Sequence, residues 1–93
     1  MNEGVLFKFR LYVAGDAPNS TQAIANLTAL CRERLPEQHE IEVVDVLRDP
    51  QRALADGVLL TPMLVKLLPA PIGKLVGSLS QREPLLQALG LPS

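Results

Sequence analysis

Apolar and polar side chains alternate from Val5 to Val13, with Phe7, Phe9, Leu11 and Val13 on one side of an extended chain and Lys8, Arg10 and Tyr12 on the other. This pattern predicts a strand with one face in a core and the other partly covered. Gly15, Pro18 and Asn19 break the strand, and Asn19 or Ser20 is placed to cap a following helix by accepting an orphan amide hydrogen bond. In that helix Ile24, Leu27, Leu30 or Cys31, and Leu35 recur at spacings of three and four and make its buried stripe. Pro36 to Glu40 is a polar turn, and Ile41 to Leu47, rich in β-branched residues, predicts a second strand. Strand, helix and strand form a βαβ unit, which demands a right-handed crossover and parallel pairing.

Further along, Asp49 suits a helix N-cap and Pro50 the first helical position, where its missing donor costs nothing. The short helix runs through Ala53 and Leu54 and ends at Gly57. The run Met63 to Leu68 is too short and too uniformly apolar for periodicity to separate a strand from a buried helix. The Pro69-Ala70-Pro71 turn and a second run, Ile72 to Val76, favour the strand and make the pair a hairpin. Ser80-Gln81-Arg82-Glu83 reads as a capping box that opens a last helix, with Leu85, Leu86 and Leu89 facing inward and Pro84 removing one hydrogen bond. The order is βαβαββα. That is an α/β class, with a four-stranded mixed sheet in one domain over residues 1–93.

Composition narrows the function. Apolar residues make up 47% of the 93 but aromatics only 3%, so the core is aliphatic and stacking platforms for bases are missing. The net charge is -1, and the 9 basic residues form no stripe that would neutralise phosphates, which excludes nucleic acid as a partner. No apolar stretch approaches the roughly 20 residues that cross a bilayer, and Met1 to Gly4 carries no basic segment. The expectation is a cytoplasmic protein with no membrane partner. His39 has no second imidazole or thiolate placed near it, so no metal is expected. Asp45 and Asp49 are read as strand and cap residues, not a metal or general-base pair. Gly15 to Asn19 has too few glycines for a phosphate loop, and no cofactor is expected.

The element order, with Thr61-Pro62 directly before the hairpin, resembles a thioredoxin-like domain with its cis-proline turn. Where such a domain carries its Cys-x-x-Cys pair, Leu11 to Ser20 contains no cysteine. A thiol-disulfide enzyme needs a low-pKa thiolate at the first turn of the first helix, close to a second sulfur. Cys31 is the one cysteine, it lies on the apolar stripe, and a lone thiol forms no internal bridge. The scaffold is therefore read as one that binds and is not an enzyme. The rival, a thiol- or glutathione-dependent enzyme, requires a reactive Cys31.

Over nearly its whole length the chain is similar to the KaiB family of circadian-clock proteins. The stretches that carry the likeness are Leu11-Tyr12-Val13-Ala14-Gly15, Pro18-Asn19-Ser20, Asp45-Val46-Leu47, Pro50-Gln51, Thr61-Pro62, Leu68-Pro69-Ala70-Pro71 and Gly77 to Glu83. The resemblance implies a non-enzymatic adaptor that docks on the N-terminal ring of a hexameric KaiC-like ATPase and, in cyanobacteria, then captures KaiA. It also implies a fold switch between a tetrameric resting form with a rearranged C-terminal half and a monomeric thioredoxin-like form that alone binds the ATPase. Two such packings lie within a few kcal/mol of each other, and the ambiguous run from Val58 to Leu68 fits that near-tie.

Several positions depart from the family pattern. Ala88-Leu89-Gly90 replaces a common Gly-Leu-Asp, and alanine is favoured over glycine inside a helix by about 0.8 to 1 kcal/mol. The last helix is thereby extended, and Pro92 opposes an edge strand there. Both tilt the balance to the monomer over the homotetramer. The sequence stops at Ser93, without the acidic tail of many relatives. Gly57 replaces a frequent lysine, which weakens docking, and Glu42 stands where a basic residue is common, so a KaiA-like partner is the less supported one. The positions assigned to the switch are Pro62, Ala88 and Gly90.

The residues assigned to partner binding are Gln51, Arg52 and Asp56 on the short helix, the adjoining Thr61 and Pro62, and the hairpin lysines Lys66 and Lys74. The two lysines are expected on neighbouring strands, blunting an edge or meeting an acidic partner. A second reading is the KaiB-like sensor domain of a clock-output histidine kinase.

Overall fold

A computed structural model describes residues 6–92 of the chain. The elements are β1 (Phe7–Val13), α1 (Pro18–Arg34), β2 (His39–Asp45), α2 (Pro50–Ala55), β3 (Met63–Leu68), β4 (Gly73–Val76) and α3 (Arg82–Leu89). They follow the order expected, in one mixed sheet with strand order β2-β1-β3-β4. β1 pairs parallel to β2, while β3 pairs antiparallel with both β1 and β4. Met63 to Leu68 is a strand, and the Thr61–Pro62 peptide is cis. Val5, the expected first residue of the strand, lies outside the described residues.

The alternation along β1 divides the molecule into two layers. Phe9, Leu11 and Val13 join Leu64 of β3, the α1 stripe of Ala23, Leu27, Leu30 and Cys31, and Leu85, Leu86 and Leu89 of α3 in the larger core. Tyr12 turns to the other face, where Val44, Ala53, Met63 and Val65 make a smaller one. Two helices therefore cover one face of the sheet and the six residues of α2 cover the other. The second face is left partly open beside α2.

Boundaries depart from expectation where a proline or a side chain sets the terminus. α1 starts at Pro18 with Ala17 at the N-cap and no side-chain cap, because a proline with its fixed φ is preorganised for the first helical position. Ser20 is instead buried inside the helix, where its Oγ accepts the Ala14 N–H at 3.1 Å and ties down the preceding loop. β2 begins at His39, inside the expected turn, and ends at Asp45, whose Oδ1 accepts the N–H groups of Gly15 and Leu47, each at 3.0 Å. The strand cannot continue through that side-chain turn, and Leu47 is left 71% exposed. Asp49 occupies the α2 N-cap position without a side-chain bond.

The expected capping box does not form. α3 begins at Arg82 with Gln81 at the N-cap and no side-chain cap. With Ser80 at the N-cap, Pro84 would be the fourth helical residue, the first whose N–H the helix needs; an N-cap one residue later, at Gln81, moves the proline among the orphan donors. The Leu85 N–H then makes the first turn's bond to the Gln81 carbonyl at 3.3 Å, so Pro84 removes none. Ala88 lies within α3 and Gly90 closes it in the left-handed region, with φ 74°.

Candidate functional site

The open sheet face carries a connected set of charges drawn from three elements. Period-two alternation on β1 puts Arg10 and Tyr12 on this face, and parallel register sets Arg10 beside Glu42 of β2. Arg10 donates Nε to Glu42 Oε1 and Nη1 to Asp56 Oδ2, both at 2.9 Å. From α2, Arg52 closes a two-pronged pair on the same Glu42, at 2.7 and 2.9 Å, the fork geometry that makes arginine and carboxylate a strong pair. The Tyr12 hydroxyl, on a fully buried ring, donates to Asp56 Oδ2. Asp56 thus anchors the end of α2 to β1.

These contacts fix the ionisation of the cluster. Glu42 is held down to about 2 by the Arg52 fork and then by Arg10. Asp56 lies below the usual carboxylate range, first through the Tyr12 hydroxyl and then through Arg10. Burial, and then the bond to Asp56, pushes Tyr12 up. Because Glu42 is depressed, its contribution is complete above about pH 4.5 and is lost as pH falls towards about 2, and the depressed Asp56 loses its contribution in the same direction on acidification. Glu42 is 48% and Asp56 33% exposed, so solvent screening reduces this contribution to about 1 kcal/mol. Urea unfolding of the chain and of Glu42→Gln at neutral pH and at about pH 3 checks it. The parent should lose more stability on acidification than the variant; identical losses would remove the network from the acid response.

Beside the cluster, Ala55, Asp56, Val65, Leu67, Ile72 and Lys74 line an open groove of about 270 Å³. Its floor is the apolar side of the hairpin, and Lys74 is exposed at its rim. Large apolar side chains stay in solvent around α2: Leu54 is 78%, Leu59 92%, Leu60 63% and Ile72 64% exposed. Exposed leucine and isoleucine side chains at this density are a feature that interaction surfaces share.

The residues expected at the site divide. Gln51 is exposed on α2, while Arg52 and Asp56 are partly buried in the charge cluster. Thr61 is partly buried and Pro62 buried, its carbonyl accepting the Gly77 N–H at 2.9 Å. Lys74 lies on the groove, opposite Val65. Lys66 does not accompany it: one position along β3 it turns to the other face and is 5% exposed, with its ammonium 3.5 Å from the Leu89 carbonyl. Neighbouring strands do not guarantee a shared face, because register puts Gly73, not Lys74, opposite Lys66. Sequence reasoning left Arg10, Tyr12 and Glu42 out of the site, although alternation and parallel pairing together place all three on one face.

The end of the molecule where a thioredoxin-like domain keeps its thiols is built otherwise here. The Gly15 N–H is taken by the Asp45 carboxylate, an internal anion, and the two amide bonds hold that carboxyl below its usual range. Cys31 lies in the second half of α1, fully buried, and burial pushes its thiol up to about 11. A thiolate there is scarce at neutral pH. His39 Nδ1 donates to the Leu35 carbonyl at 2.6 Å. Among the described residues no helix is long and apolar enough to cross a membrane.

A family model for the KaiB domain matches residues 10–91. The chain belongs to the KaiB family. It is 42% identical to the circadian clock protein KaiB3 of Synechocystis sp., covering 98% of this chain and 86% of the relative. It is also 42% identical to the circadian clock oscillator protein KaiB of Microcystis aeruginosa, covering 91% of this chain and 82% of the relative. These KaiB relatives bear the names of clock proteins and not of enzymes. Among solved structures the fold is similar to the N-terminal domain of SasA from Synechococcus elongatus, with a TM-score of 0.75 at 21% identity, covering 97% of this chain and 89% of that one. It is similar too to mitochondrial thioredoxin 3 of Saccharomyces cerevisiae, with a TM-score of 0.73 at 17% identity, covering 95% and 80%. The KaiB chain is thus thioredoxin-like in fold.

Proposed function

We propose that this chain is a clock-type adaptor that docks on a hexameric KaiC-like ATPase through the sheet face beside α2, without chemistry of its own. The observation that carries the reading is the exposed apolar set on α2, the loop after it and the hairpin, next to a charge cluster whose members already satisfy one another. Such a surface offers shape and apolar area, with Lys74 and Gln51 at its rim, and no group poised to accept a proton or form a bond. The partner surface includes Gln51, Thr61 and Lys74, with Arg52, Asp56 and Pro62 holding its geometry.

Binding is gated by population. The thioredoxin-like packing presents this surface, and a tetrameric resting form with a rearranged C-terminal half does not, so the fraction in the first form scales the apparent affinity. Ala88 inside α3 and Gly90 at its end favour the monomeric form. Capture of a KaiA-like protein would follow docking. The higher identity to KaiB proteins over nearly the whole chain supports the adaptor over a kinase sensor domain.

The test is size-exclusion chromatography of the chain with a KaiC-like ATPase and nucleotide at about 50 μM each. Co-elution is expected, and Leu59→Asp, at a site 92% exposed, should weaken it about tenfold or more with an unchanged circular dichroism spectrum. Absence of a complex with the parent chain would overturn the reading.

A further inference from the structure

Lys66 is a buried cation on a strand, and the docking face makes no use of it. Around it the end of α3 meets the sheet at unusually short range. The Gly90 N–H bonds to the Gln87 carbonyl and the Leu91 N–H to the Leu86 carbonyl, at 3.1 and 2.9 Å. With Gly90 left-handed and Leu91 packed on the same core as Leu86, this is a Schellman close. It satisfies those two carbonyls and leaves the last two, of Ala88 and Leu89, pointing off the helix end.

Both meet the cross-strand pair Lys66 and Gly73. A Cβ on Gly73 would lie 2.5 Å from the Ala88 oxygen, so only glycine lets the helix end come this near. The Lys66 ammonium lies 3.5 Å from the Leu89 oxygen, long for a formed hydrogen bond and close for a charge facing a dipole. A Cβ on Gly90 would come within 3.3 Å of the same ammonium. α3 has no basic residue in its own last turn, and among the described residues no carboxylate pairs with Lys66. The charge is therefore placed against the negative end of the helix, where a cation is favoured.

We infer that Lys66 is a latch for the C-terminal helix: a cation supplied by β3 stands in for the one α3 lacks, and the glycines at 73 and 90 open the socket that admits it. The latch couples the hairpin to α3, so the end of the helix is released as a unit when the charge is withdrawn, while the sheet stands. The inference rests on these contacts and not on the proposed partner.

Amide hydrogen exchange followed by NMR on the full chain tests it, comparing Lys66→Met, of similar length without charge, with Lys66→Arg, which keeps the charge. In the Met variant the Gly90 and Leu91 amides should exchange about tenfold faster while the β1 amides keep the parent's protection. The Arg variant should stay within about threefold of the parent at the same two amides. Unchanged exchange at Gly90 and Leu91 in the Met variant would overturn the latch. So would a uniform rise across all strands, an unfolded Met variant, or an Arg variant as open as the Met one, since each makes Lys66 a packing residue and not a charge gate.

Discussion

Asp56→Ala should cost about 2 to 3 kcal/mol of folding stability, far above the value of an ordinary surface carboxylate. Asp56 is the shared acceptor of a buried hydroxyl and of a guanidinium held mostly off solvent: Tyr12 is fully buried and the Arg10 side chain is 23% exposed. Removing the acceptor leaves a buried donor with only the Arg52 carbonyl, 3.4 Å away, as a partner. It also strips Arg10 of one of its two carboxylates. Tyr12→Phe deletes the donor instead of orphaning it and should cost only about 1 kcal/mol. In the Tyr12→Phe background, Asp56→Ala should then cost less than it does alone, which a double-mutant cycle in urea reads directly. A cost for Asp56→Ala below about 0.5 kcal/mol would mean that α2 is held by apolar packing alone and that the cluster is a solvated face.

The value of this anchor bears on function. α2 is six residues long and buries Ala53 alone, while Leu54 and the loop leucines beyond it face solvent. A helix so short has little stability of its own, and its position must come from tertiary contacts. The Asp56 bonds at its end and the Arg52 fork on Glu42 supply them. Leucines presented from a pinned helix cost less entropy to bury against a partner than leucines on a loose one. Charge pairing here holds the apolar surface of α2 in one geometry, as the proposed docking requires, even where exposed pairs contribute little to stability by themselves.

The parts of this molecule that were legible in the sequence are those where one periodicity dominates. Alternation on β1 assigned Phe9, Leu11 and Val13 to one core and Tyr12 to the other, and the stripe of α1 emerged at its three- and four-residue spacings, because burial selects apolar side chains strongly. Helix starts were harder. Several short polar residues compete at each one, and backbone constraint decided: Pro18 claimed the start of α1 from Asn19 and Ser20, and Pro84 moved the start of α3 away from Ser80. Of the open sheet face beside α2, the short helix and the cis Thr61–Pro62 turn were legible from local motifs, whereas the Arg10, Glu42 and Asp56 contacts span separations of 32 and 46 residues. No local pattern carries those; they require the register. Lys66 is a further case, since its charge argues for the surface and only the Leu89 carbonyl and the glycine-lined approach make its burial tolerable.

Gly73→Ala tests that approach from the other strand and should be the most damaging of the alanine substitutions at the described glycines, with a loss of about 2 to 4 kcal/mol. The added Cβ would stand 2.5 Å from the Ala88 oxygen, a contact with backbone that no side-chain rotation relieves. The helix end must move off β4, and as it moves Leu85, Leu86 and Leu89, each no more than 3% exposed, lose part of their burial. A methylene taken out of a core is worth about 0.8 kcal/mol, so partial exposure of three leucines accounts for the size of the effect. Gly77 provides the contrast, because a Cβ there meets nothing within 4 Å and the cost of Gly77→Ala is confined to its φ of 122°. In thermal and urea unfolding Gly73→Ala should therefore fall well below both the parent and Gly77→Ala. Equal stability of the two alanine variants would show that α3 docks without close backbone approach, and that the tight joint between the hairpin and the last helix is not what holds the C-terminal half in place.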